Sequence, residues 1–415
     1  MVGRSEAGAP SGRREFVLVT LLILFWGSVG LNRTGLGVIF PQIIPEFHLS
    51  HLQASLLLSG TSVTWAFSSW AGGWLSDRYG RRRVLVPAGL AICLVTASMG
   101  LAVGFWTMFL IRDLLGIGDG VGWSVGEATI SEESAPQRRG MNQALFTAGY
   151  TLIGAGVGAL IITEITAHLG WRWVFPIIGA ATVPVVIAIG VMLRGPAAYA
   201  ARAAHHAVDW SAAFGLLRNR SLLMLIIMGC AVLSWLQLTV FANLLFLKNV
   251  RHFSTIDAGK IQEWWGLAGA VGSLGVSFAS DRWGRRPAIF VSALLCAASA
   301  ALFLTGGFDQ GLMKVLLGAS GFFGFGLLPV VIATCVGEVV PEAMRGTALG
   351  VTNFFAVIIG TTLMPVLGGA LADAFGIASA LWIPIAAQVV IAVFIFTIPE
   401  TAPRLVGRRA AMGVR

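Results

Sequence analysis

Charge is the scarcest commodity in this sequence. Asp, Glu, Lys and Arg make up 11% of its 415 residues, where soluble chains carry roughly 25%. So few charges could not cover the surface of a water-soluble protein of this size. Lysine has almost vanished, with 3 against 25 arginines. The 4 cysteines, Cys93, Cys230, Cys296 and Cys335, lie far apart inside long apolar runs, which argues against a disulfide framework. No Gly-x-x-x-x-Gly-Lys-Ser/Thr loop is present, so ATP does not drive the chain directly. His48, His51, His168, His205, His206 and His252 fall in predicted loops or at helix ends, and no Cys or acid cluster joins them. They therefore suggest neither a mid-membrane proton carrier nor a metal site. No Ser-His-Asp arrangement suggests an enzyme. The net charge of +9 is scattered rather than gathered on one basic face, which disfavours nucleic acid.

What remains is apolar. Hydrophobic residues make up 56% of the chain, and a membrane span needs about 20 of them in a row. Twelve such spans are read at 16–45, 52–76, 84–104, 106–131, 141–165, 172–194, 222–247, 260–280, 287–307, 311–338, 346–371 and 377–398. The first follows a basic stretch, Arg13-Arg14, as a signal peptide would. It is too long for one and lacks a clear cleavage site, so it counts as helix 1. With both termini cytoplasmic, the inside segments hold 21 of the 28 basic residues, the outside segments 5, and the membrane Arg33 and Arg112. That asymmetry sets the orientation. The expected architecture is an all-α membrane protein of twelve transmembrane helices: a six-helix bundle over 1–194, a cytoplasmic linker at 195–221 and a second bundle over 222–415. Within the linker, Asp209 to Arg220 reads as an amphipathic stretch lying on the inner membrane surface.

The chain repeats itself. Gly73-Trp74-Leu75-Ser76-Asp77-Arg78-Tyr79-Gly80-Arg81-Arg82-Arg83 follows helix 2, and Ser277-Phe278-Ala279-Ser280-Asp281-Arg282-Trp283-Gly284-Arg285-Arg286 follows helix 8. After helices 4 and 10, Glu133-Ser134-Ala135-Pro136 before Arg139-Gly140 is echoed by Glu338-Val339-Val340-Pro341 before Arg345-Gly346. Matched motifs in corresponding loops indicate two six-helix halves in parallel orientation. At these residues the chain resembles the major facilitator superfamily, whose Asp-Arg-x-Gly-Arg-Arg signature stands here in both halves. The resemblance covers almost the whole chain and implies alternating access. It also implies a gating role for Gly73, Asp77, Arg78, Gly80, Arg81, Asp281, Arg282, Gly284 and Arg285. Gly73 on helix 2 is expected to permit close helix contact. Asp77 can face the positive start of helix 11, and the arginines can reach Glu132 or Glu133. These contacts would close the cytoplasmic side.

Ionisable groups at membrane depth mark function by default. Arg33 is 12 residues from the outer end of helix 1, about 18 Å, and Asp119 some 13 residues from the outer end of helix 4, about 20 Å. They share a level near mid-membrane, which makes an Arg33–Asp119 pair plausible. Arg112 lies seven residues before Asp119 on the same helical face, accompanied by Gly116, Gly118, Gly120 and Gly122. A helix 1 arginine, a helix 4 arginine and an acid seven residues later resemble the anion:cation symporter branch, in which arginines hold the substrate carboxylate and the acid takes the proton. Asn32 stands where an Asp commonly precedes the helix 1 arginine, and Asp119 where Glu is usual. The Glu133-Ser134-Ala135-Pro136 turn also resembles aromatic-acid:proton symporters and sugar porters.

The expected substrate residues are Arg33, Arg112, Asn32, Tyr150, Trp235, Gln237, Trp264 and Asn353. Asp119 is the expected proton carrier, with Glu127 behind it. The expected function is proton-coupled uptake of an organic anion such as a carboxylate, with a proton-coupled sugar or drug transporter of the same superfamily as the alternative. Helix 5 reads Gly149-Tyr150-Thr151-Leu152-Ile153-Gly154 without the Gly-Pro element usual in drug antiporters. The expected partners are a small organic anion, a proton and the lipid bilayer, in a monomer without cofactor or metal. The excess of Arg over Lys points to a GC-rich bacterial genome and the inner membrane.

Overall fold

A computed structural model describes residues 12–135, 138–193, 218–341 and 344–402. The amphipathic stretch expected at Asp209 to Arg220 lies largely outside these residues, as do both chain ends. Among the described residues there is no strand, and twelve helices follow one another. They are α1 (Gly12–Glu46), α2 (His51–Tyr79), α3 (Arg81–Ser98) and α4 (Phe105–Glu133). Next comes α5, helical over Arg139–Gly149 and Gly158–Leu169 with a wider π-helical stretch, Tyr150–Val157, between them. Then follow α6 (Trp171–Met192), α7 (Arg220–Asn249), α8 (Thr255–Trp283), α9 (Arg285–Thr305) and α10 (Gln310–Leu328, continued to Glu338). The last two are α11 (Arg345–Phe355 to Met364–Phe375, widened over Ala356–Leu363) and α12 (Ile377–Ala380 and Trp382–Phe394). The wide turns of α5 and α11 fall at corresponding places in the repeat.

Nine of the described helices are long and apolar enough to cross a membrane. The three that fall short, α2, α4 and α8, are those diluted by Ser, Thr, Gly and charge. Tight one-residue turns reverse the chain at Gly80, Gly170, Gly284 and Gly376, whose φ values of 91°, 85°, 109° and 85° lie in the left-handed region. A side chain there would strain the backbone, which is why glycine occupies them.

Because successive helices alternate in direction, the bundle has two ends. The terminal end holds the start of α1 and the finish of α12; the far end holds the finish of α1 and the start of α2. At the far end the first six helices pack against the last six. Gly37 of α1 rides on the Val240 carbonyl of α7, Gly266 of α8 sits against the Ala155–Gly156 backbone of α5, and Gly369 of α11 lies over Leu52 and Ser55 of α2. Without a Cβ at each crossing the backbones meet closely, the usual use of small residues between membrane helices. Toward the terminal end the same helices part. A Cβ placed on Gly73 of α2 or Gly350 of α11 would meet no atom within 4 Å. The expectation that Gly73 makes a close helix contact does not hold in this structure; its neighbour Gly72 does so instead, against Val121 of α4.

Candidate functional site

The split between the two sets of helices ends, toward the far end, at the Gly37–Val240 crossing. Arg33 lies four residues before Gly37 on α1, and Gln237 three residues before Val240 on α7. Each is about one helical turn closer to the terminal end on the same face as its crossing residue. A small recess at the crossing is lined by Thr34, Gly37, Ala155, Val240 and Gln262.

Arg33 is the centre of the polar site. Its Nε donates to Asp119 Oδ2 at 3.1 Å, and its guanidinium carbon lies 5.5 Å from the ring centroid of Trp65 on α2. The Arg33 side chain is 21% exposed and that of Asp119 only 2%, so the carboxylate is sealed behind the arginine. Arg33 Nη2 and Asp119 Oδ1 are buried and without a hydrogen-bond partner. Tyr150, at the start of the wide turn of α5, is half-buried and within electrostatic reach of both. One to two turns toward the terminal end lies an aromatic group: Trp26 is 4.8 Å from Trp123 and 6.0 Å from Tyr150, and Phe146 stacks on both tryptophans.

Arg112 is placed differently from Arg33. It is 2% exposed and donates to the Leu57 carbonyl of α2, the Asn32 carbonyl of α1 and Asn32 Oδ1, each at 3.3 Å. Asn32 in turn donates to Thr96 of α3 at 2.6 Å. A guanidinium has five N–H donors; here they join α4 to α2 and α1, and Asn32 carries the link on to α3. Arg112 and Asn32 do not open onto the split, because every face of this pair is covered. The substrate role expected for them from sequence is not reflected in this arrangement, in which both are buried and bonded between helices.

Four further residues expected at the site are placed as follows. Trp235 is wholly buried, against Trp265 and Phe325 inside the last six helices. Trp264 is 51% exposed on the stripe of α8 that also shows Val271 and Phe278; an apolar stripe at a seven-residue interval faces lipid rather than a polar site. Asn353 is exposed on the terminal-end half of α11. Glu127, half-buried two turns beyond Asp119, has no hydrogen bond or ion pair among the described residues. Sequence reasoning passed over Trp65, since a tryptophan in a membrane helix carries no signal of its own until a cation is found on its face.

At the terminal end the repeat is reproduced in detail. Arg81 bonds Asp77 at 2.7 Å, Glu132 at 2.9 Å and Ser76. Arg285 bonds Asp281 at 2.5 Å, Glu338 at 2.8 Å and Ser280 at 2.8 Å. Each arginine follows its positive-φ glycine, Gly80 or Gly284, which aims it at the end of α4 or α10. Asp77 is 51% exposed and turned to its own Arg81, so the contact with the start of α11 read from sequence is not made in this structure. The reason is the parting of α2 from α11 at this end. Arg78 stacks on Trp74 and Tyr79, and Arg282 is exposed.

At the far end one carboxylate bridges the two sets of helices. Asp373 of α11 accepts the backbone N–H of His51 at 2.7 Å and of Leu52 at 3.0 Å, and its Oδ1 is 2.9 Å from His51 Nδ1. Among the described residues no group of His, Cys, Asp and Glu could hold a metal ion.

Comparison with known proteins adds four findings. The model for the Major Facilitator Superfamily matches residues 22–360. The chain is similar to a probable 4-methylmuconolactone transporter of Cupriavidus pinatubonensis, 23% identical over 95% of this chain and 92% of that one. It is also similar to the cis,cis-muconate transport protein of Acinetobacter baylyi, 25% identical over 84% of each. In fold it resembles a bacterial homolog of the human lysosomal transporter Spinster, with a TM-score of 0.77 at 18% identity, over 93% of this chain and 97% of that structure.

Proposed function

The chain belongs to the Major Facilitator Superfamily, a multi-pass membrane transporter and not an enzyme, and from that premise we propose that it takes up an organic anion, a carboxylate, together with a proton. The observation that carries this reading is Arg33: a cation at mid-helix, partly open to the split, bonded to a buried acid and with one N–H group unused. An arginine recognises carboxylates by its fixed planar fork, and a neutral sugar needs no such charge. The relatives named for muconate and methylmuconolactone handle carboxyl-bearing compounds, which supports the same class.

The excess of arginine at the terminal end argues that this end faces the cytoplasm. On that orientation the state is inward-open, closed outside by α1–α7, α2–α11 and α5–α8. Residues 1–194 and 222–415 act as two rocking halves joined by 195–221, in a monomer in a bacterial inner membrane. In the empty carrier Arg33 keeps Asp119 ionised. An arriving carboxylate competes for the guanidinium. Two carboxylates at one arginine resist being ionised together, so Asp119 takes a proton. The loaded site then has matched charge and can be closed off from water, whereas an unmatched charge at that depth is costly. Gln237, one turn from the same crossing on α7, offers the substrate a neutral contact from the second half. Glu127 is the next carboxylate on the way to the cytoplasm and serves as the release station for the proton.

The test is proton uptake by purified carrier in weakly buffered detergent when cis,cis-muconate is added. Uptake of close to one proton per bound muconate is expected. Binding without proton uptake at every pH tried would refute the coupling and leave anion binding intact.

A further inference from the structure

Three buried polar atoms without partners belong to Arg33 and to two side chains that touch it. Two belong to the ion pair, Arg33 Nη2 and Asp119 Oδ1; the third is the indole Nε1 of Trp65. Buried polar groups in folded proteins are nearly always satisfied, and an indole N–H is a donor only. Trp65 is held close to the pair from two sides. Its ring lies 5.5 Å from the Arg33 guanidinium carbon. Its carbonyl lies where a side chain on Gly120 would stand, next to Asp119. The half-buried Trp65 thus holds the guanidinium by cation–π contact and carries a second unused N–H on the ring that Arg33 covers.

The inventory of unused groups is then two donors and one acceptor around one positive charge. We propose that Trp65 is a substrate-positioning residue, and that its indole N–H and Arg33 Nη2 together receive the two oxygens of one carboxylate. The inference rests on the carboxylate reading above and sharpens it. A carboxylate accepts both donors at once. It leaves Asp119 Oδ1 as an acceptor facing another acceptor, a clash that one proton on Asp119 relieves, because the protonated carboxyl then donates. Substrate and proton complete the site together, and each alone leaves a buried group unmatched. A hydroxyl group satisfies one donor only and, being neutral, gives Asp119 no reason to leave Arg33 or to take up a proton. On this reading the selected feature is an ionised planar acid group, and the remainder of the substrate lies toward the rings of Trp123 and Tyr150.

The probes are cis,cis-muconate, benzoate and glucuronate, titrated calorimetrically into wild-type carrier and into Trp65→Phe, with benzamide as the uncharged partner of benzoate. Phenylalanine keeps an aromatic face for Arg33 and removes the N–H. The Kd for whichever acid binds should rise about tenfold or more, the size of one hydrogen bond to a charged group. The much weaker binding of benzamide should not change, and protons taken up per bound acid should stay the same. Trp65→Tyr, which restores a donor, should recover part of the loss. A Phe variant that binds acids as tightly as wild type overturns the role of Trp65 and spares the carboxylate reading. A wild type that binds none of the three acids overturns both. Should neither variant fold, the wild type labelled with 15N at its 14 indoles decides. An indole N–H resonance should move on addition of the bound acid and not of benzamide, and a spectrum that stays still refutes the proposal.

Discussion

Removing the Asp373 carboxylate should open the far end of the bundle. The first turn of a helix leaves its N–H groups without partners. At α2 these are shared between two sources. Ser50 takes the N–H of Gln53 at 3.1 Å, in a capping box with the Gln53 side chain. Asp373, from the other set of helices, takes those of His51 and Leu52. Asp373 is therefore a helix cap that exists only while α2 and α11 touch at this end. Its side chain is 33% exposed, so water competes for both partners and the value of a surface cap applies, about 1–2 kcal/mol rather than the sum of two buried charged bonds. At about 1.4 kcal/mol per factor of ten, Asp373→Ala should shift the ratio of closed to open far ends about tenfold toward open. His51→Ala should shift it by less, because the backbone donors survive.

The measurement is the distance between spin labels on Leu169→Cys at the end of α5 and Phe375→Cys at the end of α11, both largely exposed. The native cysteines are all buried and do not compete for label. The long-distance fraction should grow in Asp373→Ala and change little in His51→Ala. Equal distance distributions in Asp373→Ala and wild type would mean that apolar packing at Gly37, Gly266 and Gly369 closes this end unaided, and the cap argument would fail.

The two membrane arginines should separate cleanly. Arg33→Ala should abolish binding of the probe acid while the purified protein keeps its melting temperature within a few degrees; unchanged affinity would make Arg33 structural. Arg112→Ala should lower melting temperature and yield, since it leaves a cavity between the helices and strands Asn32 Oδ1 in the interior at about 1–3 kcal/mol, and normal stability would show Arg112 to be dispensable as a brace. Asp119→Asn should keep acid binding with less dependence on pH and keep counterflow, but lose accumulation driven by an imposed pH gradient. If that variant still concentrates substrate in proteoliposomes, the essential proton rides on Glu127 or on the substrate.

Most of the architecture was legible because a bilayer imposes a crude rule, about 20 apolar residues per crossing, and because the chain states its plan twice. The doubled Asp-Arg-x-Gly-Arg-Arg loop carries through to geometry: Gly80 and Gly284 take the same backbone conformation, and Arg81 and Arg285 take the same partners. Helix ends were read a few residues short, as at α8, which begins at Thr255 rather than 260 and whose first turn holds Asp257, which dilutes the apolar signal. The site was read less well, for a physical reason. Helical periodicity says which residues share a face but not which neighbour that face meets. Arg112 and Asn32 look like ligands in sequence and are interior donors and acceptors. Trp235 looks like a pocket wall and is core. Trp264, one residue before the buried Trp265, points outward because neighbouring helical positions differ by about 100°. Two ionic arrangements had no sequence signal at all. One is Asp373 with the start of α2. The other is buried Glu15, which ties the start of α1 to Arg138 and Asn142 at 2.8 and 2.9 Å.

Helices α2 and α11 hold a carboxylate near the finish of each and an N-terminus at the start of each. At the far end the finish of α11 lies beside the start of α2, and at the terminal end the finish of α2 and the start of α11 stand apart. Asp373 caps α2 at the far end in this structure. Asp77, at the terminal end, is exposed and turned to Arg81, and the sequence reading gives it the start of α11 as partner once that end closes. A rigid pair that pivots cannot satisfy both caps together, so each carboxylate stabilises one state and not the other, which is the condition for shifting a population. The two lie about 25 residues apart along α2, roughly 37 Å, far enough for their effects to add. Asp77→Asn should therefore push the population the opposite way from Asp373→Ala, shortening the mean distance between the Leu169 and Phe375 labels and raising cysteine accessibility inside the terminal-end opening. In the double variant the two shifts should largely cancel and return the distance distribution to near that of wild type. A double variant that behaves like Asp373→Ala alone would show that Asp77 makes no state-dependent contact, leaving its loop a topology signal held in place by Arg81.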